Sequence, residues 1–158
     1  MCVRLYLNGN GEGQSTHISI YLILMQGDND VILKWPLNCQ VVFGLYNLID
    51  KNNHIIESCQ PDGGLVCLQR PQDGMNTAVG IPKFIPLSKI QQFNSPYICE
   101  GSLYIKVMVR KDPMPKSIFV TAMNIHLALP VHAQEEIIEK EIEKSKMPPS
   151  TLNLSSTS

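Results

Sequence analysis

The sequence predicts an all-β fold, an antiparallel β-sandwich, with a C-terminal helical extension and a disordered tail. Three observations lead there. Short apolar runs with a two-residue period recur along the first two thirds of the chain. Clusters of Gly, Asn, Asp and Pro separate them at close, regular intervals. Dense helix formers occur only late, in 133–146. Many short strands with almost no helix between them form a sandwich rather than a parallel sheet, whose crossovers need helices.

The elements follow in order. Residues 3–7 alternate, with Arg4 and Tyr6 on one face and Val3, Leu5 and Leu7 on the other. Asn8-Gly9-Asn10-Gly11-Glu12-Gly13 is turn chemistry tolerant of positive φ, so a hairpin connection is expected. Residues 17–25 are almost continuously apolar and read as a strand buried on both faces or lying at the sheet centre. Pro36 pushes Trp35 into extended geometry, and the pair reads as a packed corner with Trp35 in the core. Residues 40–48 read as a strand with Gly44 a candidate bulge. Residues 54–58 form a further short strand, and one of two readings of Leu65, Val66 and Cys67 makes them an ordinary strand. Pro71, Pro82 and Pro86 suit edge or corner positions, because proline donates no ladder hydrogen bond. A brief helical turn is expected at 87–90, and strands at Tyr97-Ile98 and at 103–109. The sandwich spans 1–110. Residues 111–132 are a linker and an apolar segment of unassigned state, 133–146 a charged helix, and 147–158 a disordered tail.

Composition narrows the function classes. The chain has 158 residues, is 44% hydrophobic and carries a net charge of −1, so no basic excess favours nucleic acid. The longest apolar run, 18–25, is far too short to span a bilayer, so no membrane insertion is expected. No secretory signal is visible. The five cysteines show no CxxC spacing, which argues against a metal site and a disulfide framework. A cytoplasmic location follows by default.

The chemical motifs read as structural. Gly9-x-Gly11-x-Gly13 is followed by a strand and no Lys-Ser/Thr, so it is not a phosphate loop. His17, His54, His126 and His132 are scattered, without carboxylates or cysteines at metal spacing. No G-x-S-x-G occurs, and nothing supports a Cys67–His54 nucleophile pair. No catalytic residue, metal or cofactor is expected.

Several strings, in order, carry a more specific signal. They are Cys2-Val3-Arg4-Leu5-Tyr6-Leu7-Asn8-Gly9-Asn10-Gly11, Thr16-His17-Ile18-Ser19, Met25-Gln26-Gly27-Asp28-Asn29-Asp30 and Leu33-Lys34-Trp35-Pro36. Gln69-Arg70-Pro71, Met75-Asn76 with Gly80, and Pro86-Leu87-Ser88-Lys89 continue them. Together they resemble the C-terminal TRAF/MATH domain of the TNF receptor-associated factor family over about 1–110. The resemblance implies a sandwich whose first strand is missing here, with an unpaired edge and poor stability alone. It also implies a cytoplasmic signalling adaptor, trimeric in the full-length protein. Such a domain binds extended tails of TNF-receptor-like proteins, or of their adaptors, by β-augmentation, and couples them to NF-kappaB, JNK and apoptosis signalling. The family's ubiquitin-ligase activity lies in a RING that these residues lack, so no enzyme is expected. Two alternatives remain: a MATH-type substrate-recognition module of a ubiquitin ligase, and a drifted fragment without receptor binding.

The resemblance also implies a peptide-binding set. Arg4, Tyr6 and Gly80 match groove residues. Asn10 stands where relatives carry an acidic residue, and Tyr21 where they carry Phe. Leu65, Val66 and Cys67 occupy the place of a serine triplet that hydrogen-bonds a ligand Gln. Val79 replaces a further Ser, Cys59 and Leu68 replace aromatic walls, and Ile81 completes the set. With those hydroxyls gone, the family's Gln-containing motif is expected to bind weakly.

Overall fold

The computed structural model describes residues 1–61 and 66–146. Leu65 and the tail from 147 onward lie outside the described residues. The chain divides into two compact units, Met1–Pro113 and a second beginning at Met114.

The first unit is built of two three-stranded antiparallel sheets. One sheet has the order β1-β2-β5, with β1 Cys2–Tyr6, β2 His17–Ile23 and β5 Val79–Pro86. The other has the order β4-β3-β6, with β3 Gln40–Leu45, β4 Ile55–Cys59 and β6 Ile105–Arg110. Inward residues of β2 (Ile18, Ile20, Leu22), β3 (Val41, Phe43, Leu45) and β5 (Phe84, Ile85) form the core with Cys39 and Tyr97. Phe43 and Phe84 meet edge to face across it, with ring centroids 6.1 Å apart.

The near-continuous apolarity of β2 has the expected cause. It is the central strand of its sheet, and Ser19 and Ile23 on its second face are buried as well. β3 is central in the other sheet and all six of its residues are buried. It stops at Leu45. Gly44 pairs in regular register with Ile56 and Lys106, so the bulge expected there is absent. The irregularity lies instead between β2 and β5, where Ile18 pairs with Ile85 and Ile20 with Ile81. Four positions of β5 answer two of β2. Pro82 sits in the excess, where its missing N–H removes no ladder bond.

The Ser19 hydroxyl closes this gap. It donates to the Pro82 carbonyl at 2.5 Å and accepts the Asn10 N–H at 2.8 Å, tying the β1–β2 loop to the bulge. The loop folds as a 3-10 turn over Gly11–Gly13. It packs so closely that a Cβ on Gly13 would lie 1.9 Å from the Pro82 carbonyl oxygen.

Three further expectations are corrected. Val66–Leu68 is a 3-10 turn rather than strand. The Asn76 side-chain amide donates to the carbonyls of Cys67 and Gln69 at 3.1 and 2.7 Å, carbonyls a ladder would have claimed. Tyr97-Ile98 forms no strand. Positive φ at Asn94, Glu100 and Gly101 breaks the chain around it, and Tyr97 is an isolated core anchor whose hydroxyl donates to the Asn53 carbonyl. Trp35 is half-buried rather than core. Its indole N–H donates to the Asp30 carbonyl at 2.8 Å, and it lines a cavity of about 300 Å³ with Leu24, Leu33 and Leu37. The helical turn expected after Pro86 is present as α1, Leu87–Gln91.

The second unit is helical. A 3-10 turn at Lys116–Ile118 leads into α2, Phe119–Asn124. α3, Val131–Lys146, packs against both, and Ile138 is its one buried residue. On its exposed side Lys140 and Glu136 pair at i,i+4, 2.6 Å apart. No described helix is long and apolar enough to cross a membrane.

Candidate functional site

β5 is a terminal strand of its sheet, so its outer N–H and C=O groups have no ladder partner among the described residues. Such an edge is a template for another strand. The candidate residues divide by which face of this edge they serve, because side chains alternate along a strand.

The outer face carries one row across all three strands. Arg4 pairs with Tyr21, and Tyr21 pairs with Gly80. Tyr6 is two residues along β1 on the same face. Its ring meets Tyr21 edge-on, with centroids 5.8 Å apart. Asn10 lies at the Tyr6 end, held by the Ser19 hydroxyl that Tyr6 pairs opposite. The Arg4 guanidinium has no carboxylate partner among the described residues. It donates to the Met75 sulfur at 3.9 Å. Gly80 has a reason within the sheet itself. A Cβ there would lie 2.1 Å from the Ile20 carbonyl oxygen and 2.6 Å from the Tyr21 Cα.

The inner face gives a different lip. Val79 and Ile81 pair with Leu22 and Ile20, so they point toward the core, half-buried against it. Cys59 is also half-buried against the core, but on β4 of the other sheet. Burial pushes its thiol up to about 11, and the neighbouring Cys39 and Cys67 add to the shift. Val66 and Cys67 lie on the 3-10 turn, which Asn76 ties to the segment entering β5. Val66 is 78% exposed and Cys67 half-buried. Neither offers a hydroxyl. Leu68 does not belong to the lip. It is fully buried, and its carbonyl accepts the Leu37 N–H at 2.9 Å.

A strand laid along β5 would thus present alternate side chains to two surfaces. One is the Arg4–Tyr6–Tyr21 face, cationic and aromatic. The other is the Val79–Ile81 lip, apolar and thiol-bearing. A concavity of about 390 Å³ opens beside the start of β5, lined by Val66, Gln69, Arg70, Asp73, Met75 and Asn76 among others. Sequence reasoning missed Met75 and Asn76 as site residues. Their isolated-bridge and side-chain contacts, Met25 to Met75 and Asn76 to Cys67, span long sequence separations and leave no periodic signal. No group of three or more His, Cys, Asp or Glu suited to a metal occurs among the described residues.

The fold has known relatives. Residues 1–106 match the TRAF/meprin MATH domain family. Human TNF receptor-associated factor 2 is 42% identical over 111 residues, which are 69% of this chain and 21% of that protein. Mouse TNF receptor-associated factor 1 is 40% identical over 111 residues, covering 69% and 26%. Mouse TNF receptor-associated factor 5 is 38% identical over 109 residues, covering 69% and 20%. The chain therefore spans about a quarter or less of the length of these curated relatives. The solved structure of Notothenia coriiceps TRAF5 superposes with a TM-score of 0.64 at 38% identity, covering 72% of this chain and 56% of that one.

Proposed function

The chain belongs to the TRAF/meprin MATH domain family, and from that premise we propose that its first unit binds the extended cytoplasmic tails of TNF-receptor-like proteins along β5, as part of a cytoplasmic signalling adaptor. The carrying observation is the row Arg4–Tyr21–Gly80 beside an unpaired edge. Main-chain pairing to β5 supplies affinity without sequence preference. The side-chain surfaces supply the preference. Arg4, with no carboxylate partner among the described residues, selects an acidic residue on the outer face. Val79, Ile81 and Val66 select an apolar residue on the inner face, where a Gln amide would find no hydroxyl.

A single edge of this kind binds weakly. In a homotrimeric full-length adaptor engaging clustered receptors, effective concentration raises it by about 10²–10⁴. Coupling to NF-kappaB, JNK and apoptosis signalling belongs to that assembled protein. An array of TNF-receptor-family tail peptides tests the reading. The expected binders combine an acidic and an apolar residue at odd spacing, with Gln-containing motifs weak. Tight binding of the Gln motif, or no binder at all, would count against it.

A further inference from the structure

The edge strand β5 carries a cation of its own, outside the residue set described above. Lys83 follows Gly80 by three residues on that strand. Its ammonium lies 3.6 Å from the Glu12 carboxylate, which comes from the β1–β2 loop.

The register fixes where Lys83 stands. Gly80 pairs with Tyr21, Ile81 with Ile20, and Ile85 with Ile18. Residues 82–84 therefore share the space opposite Ser19, and Lys83 is the middle one. Measured along the sheet, it stands two residues from Gly80, a step of about 7 Å. Its neighbour Phe84 is buried in the core, so alternation sends Lys83 to the outer face. The loop bearing Glu12 is held on that same face. The Asn10 N–H donates to the Ser19 hydroxyl at 2.8 Å, and Ser19 pairs with Tyr6.

The Lys83–Glu12 pair is suited to exchange. The Lys83 side chain is 55% exposed and that of Glu12 82%, so water screens the contact and it holds little. A strand added along β5 shifts that balance. It excludes water beside Lys83 and strengthens the field of the ammonium. Its outer-face side chains recur every second residue, about 7 Å, which matches the step from Gly80 to Lys83. With one acidic side chain over the Arg4–Tyr21–Gly80 row, the side chain two residues along comes over Lys83.

On the premise that a tail adds to β5, we propose that Lys83 is a second charge-reading residue of this edge and Glu12 its internal competitor. The ligand class is then an extended tail with two acidic residues separated by one. A carboxylate at the second position takes the ammonium from Glu12, which stays solvated. A neutral residue there leaves the internal pair in place.

Two synthetic tail peptides test this, each with Glu at one outer-face position and either Glu or Gln two residues along. Calorimetric titration of the whole chain at low salt is expected to show the Glu-x-Glu peptide binding about threefold to fivefold tighter than Glu-x-Gln. Lys83→Met is expected to bring that ratio to about one, and Glu12→Gln to raise it about twofold, since the competitor is gone. The ratio cancels any change in the fold that affects both peptides alike. A ratio of one in the original chain overturns the proposal. So does a ratio that survives Lys83→Met or fails to rise in Glu12→Gln. If amide NMR shifts from both peptides still follow Val79–Pro86, those results remove the second charge reader and leave the β5 site standing. If neither peptide shifts β5, the β5 site fails and the role of Lys83 fails with it.

Discussion

Tyr21 and Gly80 stand directly opposite each other across β2 and β5, so close that the place of a Gly80 Cβ is 2.6 Å from the Tyr21 Cα. The contact is with backbone, so no side-chain rotation relieves it. Gly80→Ala must push β5 away from β2. The expected destabilisation is about 1–3 kcal/mol, read by urea or thermal unfolding, and tail-peptide binding weakens with it. An unchanged midpoint would show that the strands part freely.

Ser19 joins three chain segments through one hydroxyl, which is wholly buried with its side chain. Ser19→Ala leaves the Asn10 N–H and the Pro82 carbonyl without that partner. A loss of about 1–3 kcal/mol is expected, and hydrogen exchange at the Asn10 amide accelerates ahead of the core strands. If Asn10 exchange is unaltered, the hydroxyl does not hold the loop.

Leu68 separates a core role from a contact role. Leu68→Ala is expected to cost about 2–5 kcal/mol of stability. At a temperature where the variant stays folded, its peptide affinity is unchanged. An affinity loss in fully folded protein would return Leu68 to the groove.

The thiols predict an alkaline limit. The Cys59 pKa is raised from 9.0 to about 11 by burial and then by Cys39 and Cys67. Burial raises Cys39 and Tyr46 in the same direction. In each case the unfolded chain releases its proton at lower pH than the fold does. This contribution to stability is therefore intact below pH 9 and declines between about 9 and about 11 for Cys59. Falling urea midpoints over that window, flattened by Cys59→Ala, check the sign. At pH 8 an aromatic disulfide reagent is expected to label exposed Cys99 well before Cys59.

Much of the framework was legible in the sequence because it rests on local rules. The alternation of Arg4 and Tyr6 against Val3 and Leu5 survives as two faces of β1. The proline-punctuated segment around Pro82 is an edge strand, as its missing donor requires. What failed depends on distant partners. Gly44 carries no bulge, because two flanking strands hold β3 in register, while the bulge fell at Pro82, opposite Ser19. The run containing Val66 and Cys67 has strand composition, but Asn76 claims its carbonyls and turns it. The division of the site into an outer face and an inner lip follows from the pairing of Val79 and Ile81, which composition alone does not give.

The central claim is that an acidic, extended peptide adds to β5 with Arg4 reading its charge. An amide-resolved NMR titration of the labelled chain, with the best tail peptide from the array, tests it most directly. The account predicts shifts concentrated along Val79–Pro86, and about tenfold weaker binding for Arg4→Met, with the protein still folded. Shifts centred instead on the Trp35 cavity, or an Arg4→Met affinity equal to that of the original chain, would contradict it.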